Sequence, residues 1–525
     1  MKLPASDRSV PRFGISLSHH STSQISCCQF WLTATNKIWF CLLAALILLP
    51  TKWAVADITL PKFFSDHMVL QQESPFPVWG TAEPNQALVI RFNGTETKAV
   101  AGDDGKFSVS INTPTAGGPY SLEVEDQNQT NKVVLTDVMV GDVWLCAGQT
   151  NMGLPVSEAL NAETEIAQSK KHTTIRLFSL EKIAATQRAE DVTTLLPWAN
   201  CSPESVKDFS AVAYFFGREL GKSLDKTPIG LIDASVDGST CEAWCSQQSL
   251  EADTSLAPLL SHWKENDDPE APNRPGSLFN GMIAPLSVYP VKGIVWYQGE
   301  TNVGRGKQYG NLLKSLIGDW RQHFSNAALP FYFVQIAPFR YSNFSSEALP
   351  ELWDAQLQTL KTVRGTAMVP TMDVGIADQM FPKNKQVIGR RLAKLALAKT
   401  YQKVETEAPA EKPAPVTGPI YEAIAYREGK IRVTFREVGS GLKFIGEPPH
   451  GSFTICGPDE VFHPAVATLI GPASVELTSD QVQAPKAVRY CWDDSAKPSL
   501  ANSADLPAFP FRTDSLELKS EETAF

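Results

Sequence analysis

The sequence predicts an α/β fold: a doubly wound, mainly parallel sheet, with accessory β-sandwich regions at its N- and C-terminal sides. Three observations predict it. Between residues 137 and 402, apolar strand-like runs (VMVGDVWLCAG, PIGLIDAS, VKGIVWYQG, LPFYFVQIA, AMVPTMDVG) alternate with helix-like segments. That alternation is what parallel strands joined by crossover helices require. From Asp57 to about residue 136, short runs such as FPVWG, ALVIRF and KFSVSI are separated by Glu-Pro-Asn, Asp-Asp-Gly and Gly-Gly-Pro turns, the spacing of a small β-sandwich. Beyond residue 419, IRVTF, SFTIC, SVELTS and AVRYCW are β-like again.

Taken in chain order, the first element is a leader. Lys37 precedes the unbroken apolar run Ile38–Leu49, and Ala54-Val55-Ala56 follows it. Basic residue, short apolar core and small-x-small site read as a secretory signal peptide over residues 38–56, cleaved after Ala56, so the chain is expected to be exported. The run is too short to span a bilayer comfortably, and no stable membrane span is expected after cleavage. Residues 57–136 form the N-terminal β region and 137–402 the α/β domain. Within the latter, Ser210–Leu224 and Asn384–Tyr401 have helical periodicity; in the second, Val387, Ile388, Leu392, Leu395 and Ala396 share a face. Residues 403–419 are rich in Pro, Ala and Glu, a solvated linker. Residues 420–525 are a second β region and a polar tail.

A chain of 525 residues is too long for one compact core. Its 47 basic and 57 acidic residues give a formal charge of −10, which argues against nucleic acid, since phosphate binding needs a positive footprint. A small or neutral ligand such as a sugar is compatible. Six of the nine cysteines follow Ala56; an even number in an exported chain permits disulfides without giving their pairing. No paired CxxC spacing is present, and neither a metal nor a cofactor is expected.

Four segments could carry chemistry. Gly148-Gln149-Thr150-Asn151-Met152 follows the apolar run VWLC; a hydroxyl on a Gly turn after a strand stands at the open sheet edge, where a nucleophile must be. A strand-to-helix turn with a polar cap would look the same. Gln298-Gly299-Glu300-Thr301-Asn302 follows GIVWY; Asn302 could offer its amide to an oxyanion or cap a helix. In Val236-Asp237-Gly238, after PIGLIDAS, the glycine lets a backbone N–H approach a ligand, or is part of an ordinary loop. Asp378-Gln379-Met380-Phe381 leads into the last helix. Asp followed three residues later by His is a spacing that orients an imidazole for base catalysis, but the third position here is Phe381.

In order, these segments resemble one family. GQTNM is similar to the GQSNM block of the sialate O-acetylesterases and related SGNH-superfamily carbohydrate esterases. WYQGETN, PIGLIDASVDGSTCEAW and DQMFPKNKQVIGRRLAKLAL resemble their WYQGESN, PIGLI…GGT…EAW and D-x-x-HPKNK…G-RLA blocks. The likeness runs from about Asp57 to Asp514. It implies acyl transfer to water from an O-acetylated sugar or glycan. Thr150 then takes the nucleophile position, Asp378 the orienting carboxylate, and Phe381 the histidine position, where it cannot act as a base. Thr150 N–H, Gly238 N–H and the Asn302 side chain take the oxyanion positions, with Gln149, Asn151, Gln298 and Glu300 lining the site.

Two departures bear on activity. Thr150 keeps a hydroxyl but adds a methyl that restricts χ1. Phe381 removes the base. Loss of a triad Ser or His costs about 10⁶-fold in turnover, and the losses do not add, so two lesions in one machine fit a silent site better than a tuned one. His67, His172, His262, His323, His450 and His463 are the remaining candidates for a base; none follows an Asp at the required spacing. The expectations are therefore an esterase framework with impaired or absent catalysis, binding acetylated glycans or serving as a scaffold.

Overall fold

The computed structural model describes residues 57–521, apart from 266–267, 269–270, 272, 408–411 and 447–450. The expected signal peptide at 38–56 lies outside the described residues.

The N-terminal strands are β1 (Val69–Gln71), β2 (Pro75–Thr81), β3 (Ala87–Phe92), β4 (Thr95–Val100), β5 (Lys106–Asn112) and β6 (Gly117–Asp126). β2 pairs antiparallel with β5. β4, β3 and β6 form an antiparallel sheet that continues into β7 (Lys132–Gly148). The alternation of β5 explains its role: Phe107 and Ile111 point inward between exposed Lys106, Ser108 and Ser110.

β7 is one unbroken strand of 17 residues, so the expected division at 136/137 falls inside it. Its first half pairs with β6. Its second half, with Val143, Trp144, Leu145, Cys146 and Ala147 all fully buried, is covered on both faces, as a parallel-sheet strand must be. It is the centre of the main sheet. With β8 (Ile175–Leu180), β9 (Thr194–Asn200), β10 (Ile229–Ser235), β11 (Gly293–Tyr297), β12 (Phe331–Val334) and β13 (Thr366–Val369), the order is β13-β12-β11-β7-β10-β8-β9. All neighbours are parallel except β8 with β9. The doubly wound, mainly parallel sheet is therefore present.

Helices cover both faces. Trp144 packs edge-on against Phe216 of the helix Ala211–Ser223, while Trp296 packs against Trp320 of the helix Gly306–His323. Trp144 pairs with Gly293, three residues before Trp296, so the two indoles leave opposite faces of the sheet. The helix expected at 210–224 starts with Ser210 as its cap, the hydroxyl accepting from Ala213 N–H at 3.1 Å. The helix expected at 384–401 spans Lys385–Lys399.

In the segment 403–419, Thr406–Glu407 pairs with Lys412–Pro413. The C-terminal side adds two four-stranded antiparallel sheets. The six cysteines after Ala56 are buried and form no disulfide with one another.

Candidate active site

Chain order reverses at β7: β10 lies on one side of it and β11 on the other. Such a switch leaves a crevice beyond the C-terminal strand ends, where ligands bind in open α/β sheets. The three strands end level, since Gly148 pairs with both Ser235 and Tyr297. The residues singled out in the sequence follow directly: Gln149-Thr150 after β7, Val236-Asp237-Gly238 after β10, and Gln298 to Asn302 after β11.

Gly148 makes this possible. Its φ is +147°, and a Cβ there would lie 2.1 Å from the Tyr297 carbonyl oxygen, so only glycine lets β7 turn this close to β11. The turn is held by Gln149 N–H to Tyr297 O at 3.0 Å and Val236 N–H to Gly148 O at 3.0 Å. Gln149 is buried; its Oε1 accepts from Gly299 N–H at 3.3 Å. Thr150 opens a one-turn helix, Thr150–Gly153. Its Oγ1 accepts from Gly238 N–H at 3.4 Å, and that is its one side-chain hydrogen bond among the described residues. A Cβ added at Gly238 (φ +65°) would meet nothing within 4 Å, so the space beside this residue is open.

Asn302 is fully buried. Its Oδ1 accepts from Cys241 N–H at 2.9 Å and from Gln298 Nε2 at 2.7 Å. Its Nδ2 donates to Glu242 at 3.0 Å, and Arg305 holds that carboxylate at 2.9 Å. One Nδ2 hydrogen, taken by Glu242, fixes the amide. Below the turn, Asn151 links three loops. Its Nδ2 donates to Glu300 and to Met380 O at 3.1 Å, and its Oδ1 accepts from Lys385 Nζ. Burial pushes the Glu300 carboxyl up and brings the Lys385 ammonium down to about 7, against the pull of Glu300. The Lys385 Nζ also lies 5.3 Å from the centre of the Tyr297 ring.

The remaining positions are arranged differently. Asp378 is exposed and pairs with Arg340 at 2.9 Å; it orients no imidazole. Phe381 is 37% exposed, next to the Met380 carbonyl that Asn151 holds. Of the other histidines, His67 pairs with Asp137 at 2.7 Å and His323 with Asp319 at 3.3 Å, His172 packs against Tyr214, His262 lies beside Trp263, and His463 stands in the C-terminal strand Phe462–Pro464. His450 lies outside the described residues. Asp237, next to Gly238, pairs with Lys182 at 2.7 Å. Chemically, the Thr150 hydroxyl has the Gly238 N–H as a donor and no base hydrogen-bonded to it among the described residues. Glu242, Arg305, Arg340 and Lys385 were not singled out by sequence; Glu242 in the segment CEAW and Lys385 in PKNK were the visible cues.

The family model described as carbohydrate esterase, sialic acid-specific acetylesterase, matches residues 140–398. Human sialate O-acetylesterase is 29% identical over 515 residues, covering 90% of this chain and 95% of that protein. The mouse sialate O-acetylesterase is 29% identical over 394 residues, 65% of this chain and 73% of that protein. A crystal structure of a carbohydrate acetylesterase from Xanthomonas citri is 33% identical, with a TM-score of 0.78, over 87% of this chain and all of that one. The chain belongs to the sialate O-acetylesterase family of carbohydrate esterases.

Proposed function

We propose that this protein is an exported, catalytically silent member of its family that binds O-acetylated glycans without hydrolysing them. The observation that carries the reading is the environment of Thr150 Oγ1, whose partner is the Gly238 N–H rather than an imidazole. An alcohol of very high pKa needs a base to attack an ester. Phe381 cannot remove a proton, and Asp378 is taken up by Arg340. The parts that would hold an acetyl group persist. Thr150 N–H, Gly238 N–H and Asn302 Nδ2 take the positions that the family resemblance gives to the donors for a carbonyl oxygen, and Asn302 is clamped by Glu242 and Gln298. A carbonyl can be bound by such donors even where no nucleophile is activated. The relatives named as sialate O-acetylesterases make O-acetylated sialic acid the first ligand to test.

The test is calorimetry with acetylated and de-acetylated sialosides, beside an assay of acetate release. Acetyl-dependent binding without release is expected. No binding of either glycan would favour a scaffold over a glycan binder. Release that vanishes in Thr150→Ala would overturn the silent reading.

A further inference from the structure

A second groove, sharing no residue with the Thr150 crevice, lies on the N-terminal strands. It encloses about 720 Å³ between β2, β5, the segment 59–61 and the loops carrying Glu190, Asp191 and Val288. Its floor is apolar: Pro61, Pro77 and Trp79 line it, and Val288 in its wall is 53% exposed. Trp79 is held edge-on by Phe64, ring centres 4.8 Å apart, so the indole is fixed rather than loose. Its Nε1–H makes no hydrogen bond among the described residues, which leaves a donor beside an aromatic face.

The rim is polar and mostly acidic. Asp191 is fixed by Lys62 N–H at 3.0 Å and Val192 N–H at 2.7 Å. Asp104 accepts from Lys106 N–H at 3.0 Å through Oδ1, leaving Oδ2 available. Lys106 reaches across the groove to Glu190 at 3.0 Å, using one of the two Glu190 oxygens. Three carboxylates face one ammonium. An aromatic face with a free N–H suits the C–H face and hydroxyls of a pyranose ring, and fixed carboxylate oxygens accept from vicinal hydroxyls. The same carboxylates repel a ligand that carries a carboxylate of its own. We propose that this groove binds a neutral oligosaccharide, a sugar class different from the acidic sialosides considered for the Thr150 crevice.

The experiment titrates the protein with neutral hexasaccharides of glucose, xylose and mannose and with a sialylated oligosaccharide, by calorimetry. Three forms are compared: natural, Trp79→Ala and Val288→Arg. At least one neutral hexasaccharide is expected to bind, with Kd raised about tenfold or more by Trp79→Ala. Val288→Arg, on an exposed side chain that leaves the core untouched, is expected to give a similar loss by filling the groove. Both groove variants are expected to leave binding of an O-acetylated sialoside at the Thr150 crevice unchanged, which separates this groove from the Thr150 reading. Absence of binding to every neutral sugar would overturn the proposal. So would binding that neither groove variant weakens, or tighter binding of the sialylated sugar that Val288→Arg abolishes.

Discussion

The two sides of the crevice beyond β7 are built to different standards. On the β10 and β11 side, Asn302 is fully buried, and Glu242, Gln298, Cys241 and Arg305 hold it or its partner. On the side of the last helix, Asp378 and Phe381 are exposed, and the carboxylate is paired with a surface arginine. Buried polar groups are costly unless every partner is in place, so the first side tolerates little change. An exposed pair costs almost nothing to rearrange. On the proposed reading, donors for a carbonyl outlast the proton-transfer machinery because the fold itself depends on the former.

The largest expected effect repairs the weaker side. Thr150→Ser with Phe381→His should raise acetyl-ester turnover by about 10³-fold or more, a part of the roughly 10⁶ that such residues supply; initial-rate kinetics on the double variant check it. In that repaired background, Asn302→Ala should lower kcat by about 10²-fold. Denaturant unfolding should also show about 2 kcal/mol less stability, because Glu242 and Gln298 lose a buried partner.

Lys385→Met sharpens the comparison through pH. The Lys385 ammonium is brought down by burial to about 7 from an ordinary value of 10.5. Between those values the unfolded chain holds the proton and the folded chain does not, so this group makes stability rise with pH across the window. Unfolding midpoints measured from pH 7 to 10 should show that rise in the natural protein and a flatter profile in Lys385→Met. At pH 10 the variant should be about 1–2 kcal/mol less stable, since Asn151 loses its donor, and that deficit should shrink or reverse toward pH 7 as the natural protein loses stability. The smallest effect is expected on the exposed side: Arg340→Ala should shift stability by no more than about 0.5 kcal/mol, by the same denaturant titration.

Much of this was legible in the sequence for a physical reason. A strand that ends at a glycine and a polar residue marks itself, and three such ends recur after VWLC, PIGL and GIVWY. What could not be read was their common level, which comes from the pairing of Gly148 with Ser235 and Tyr297. Nor could the burial of Lys385 and Glu242 be read, since a lysine or glutamate on a helix looks solvated unless its neighbours in space are known. The Arg340–Asp378 pair joins residues 38 positions apart, beyond any local pattern. Composition placed a division at 136/137 because turn-rich sequence gives way to apolar runs there. The backbone ladder continues through it, because residues 132–148 pair with β6 and then with β10 and β11.

The most direct measurement compares acetate release by the natural protein and by Thr150→Ala on an acetylated sialoside, at equal enzyme and substrate concentrations. The account requires the two rates to be indistinguishable and close to the uncatalysed background. Robust release by the natural protein that disappears in Thr150→Ala would contradict it.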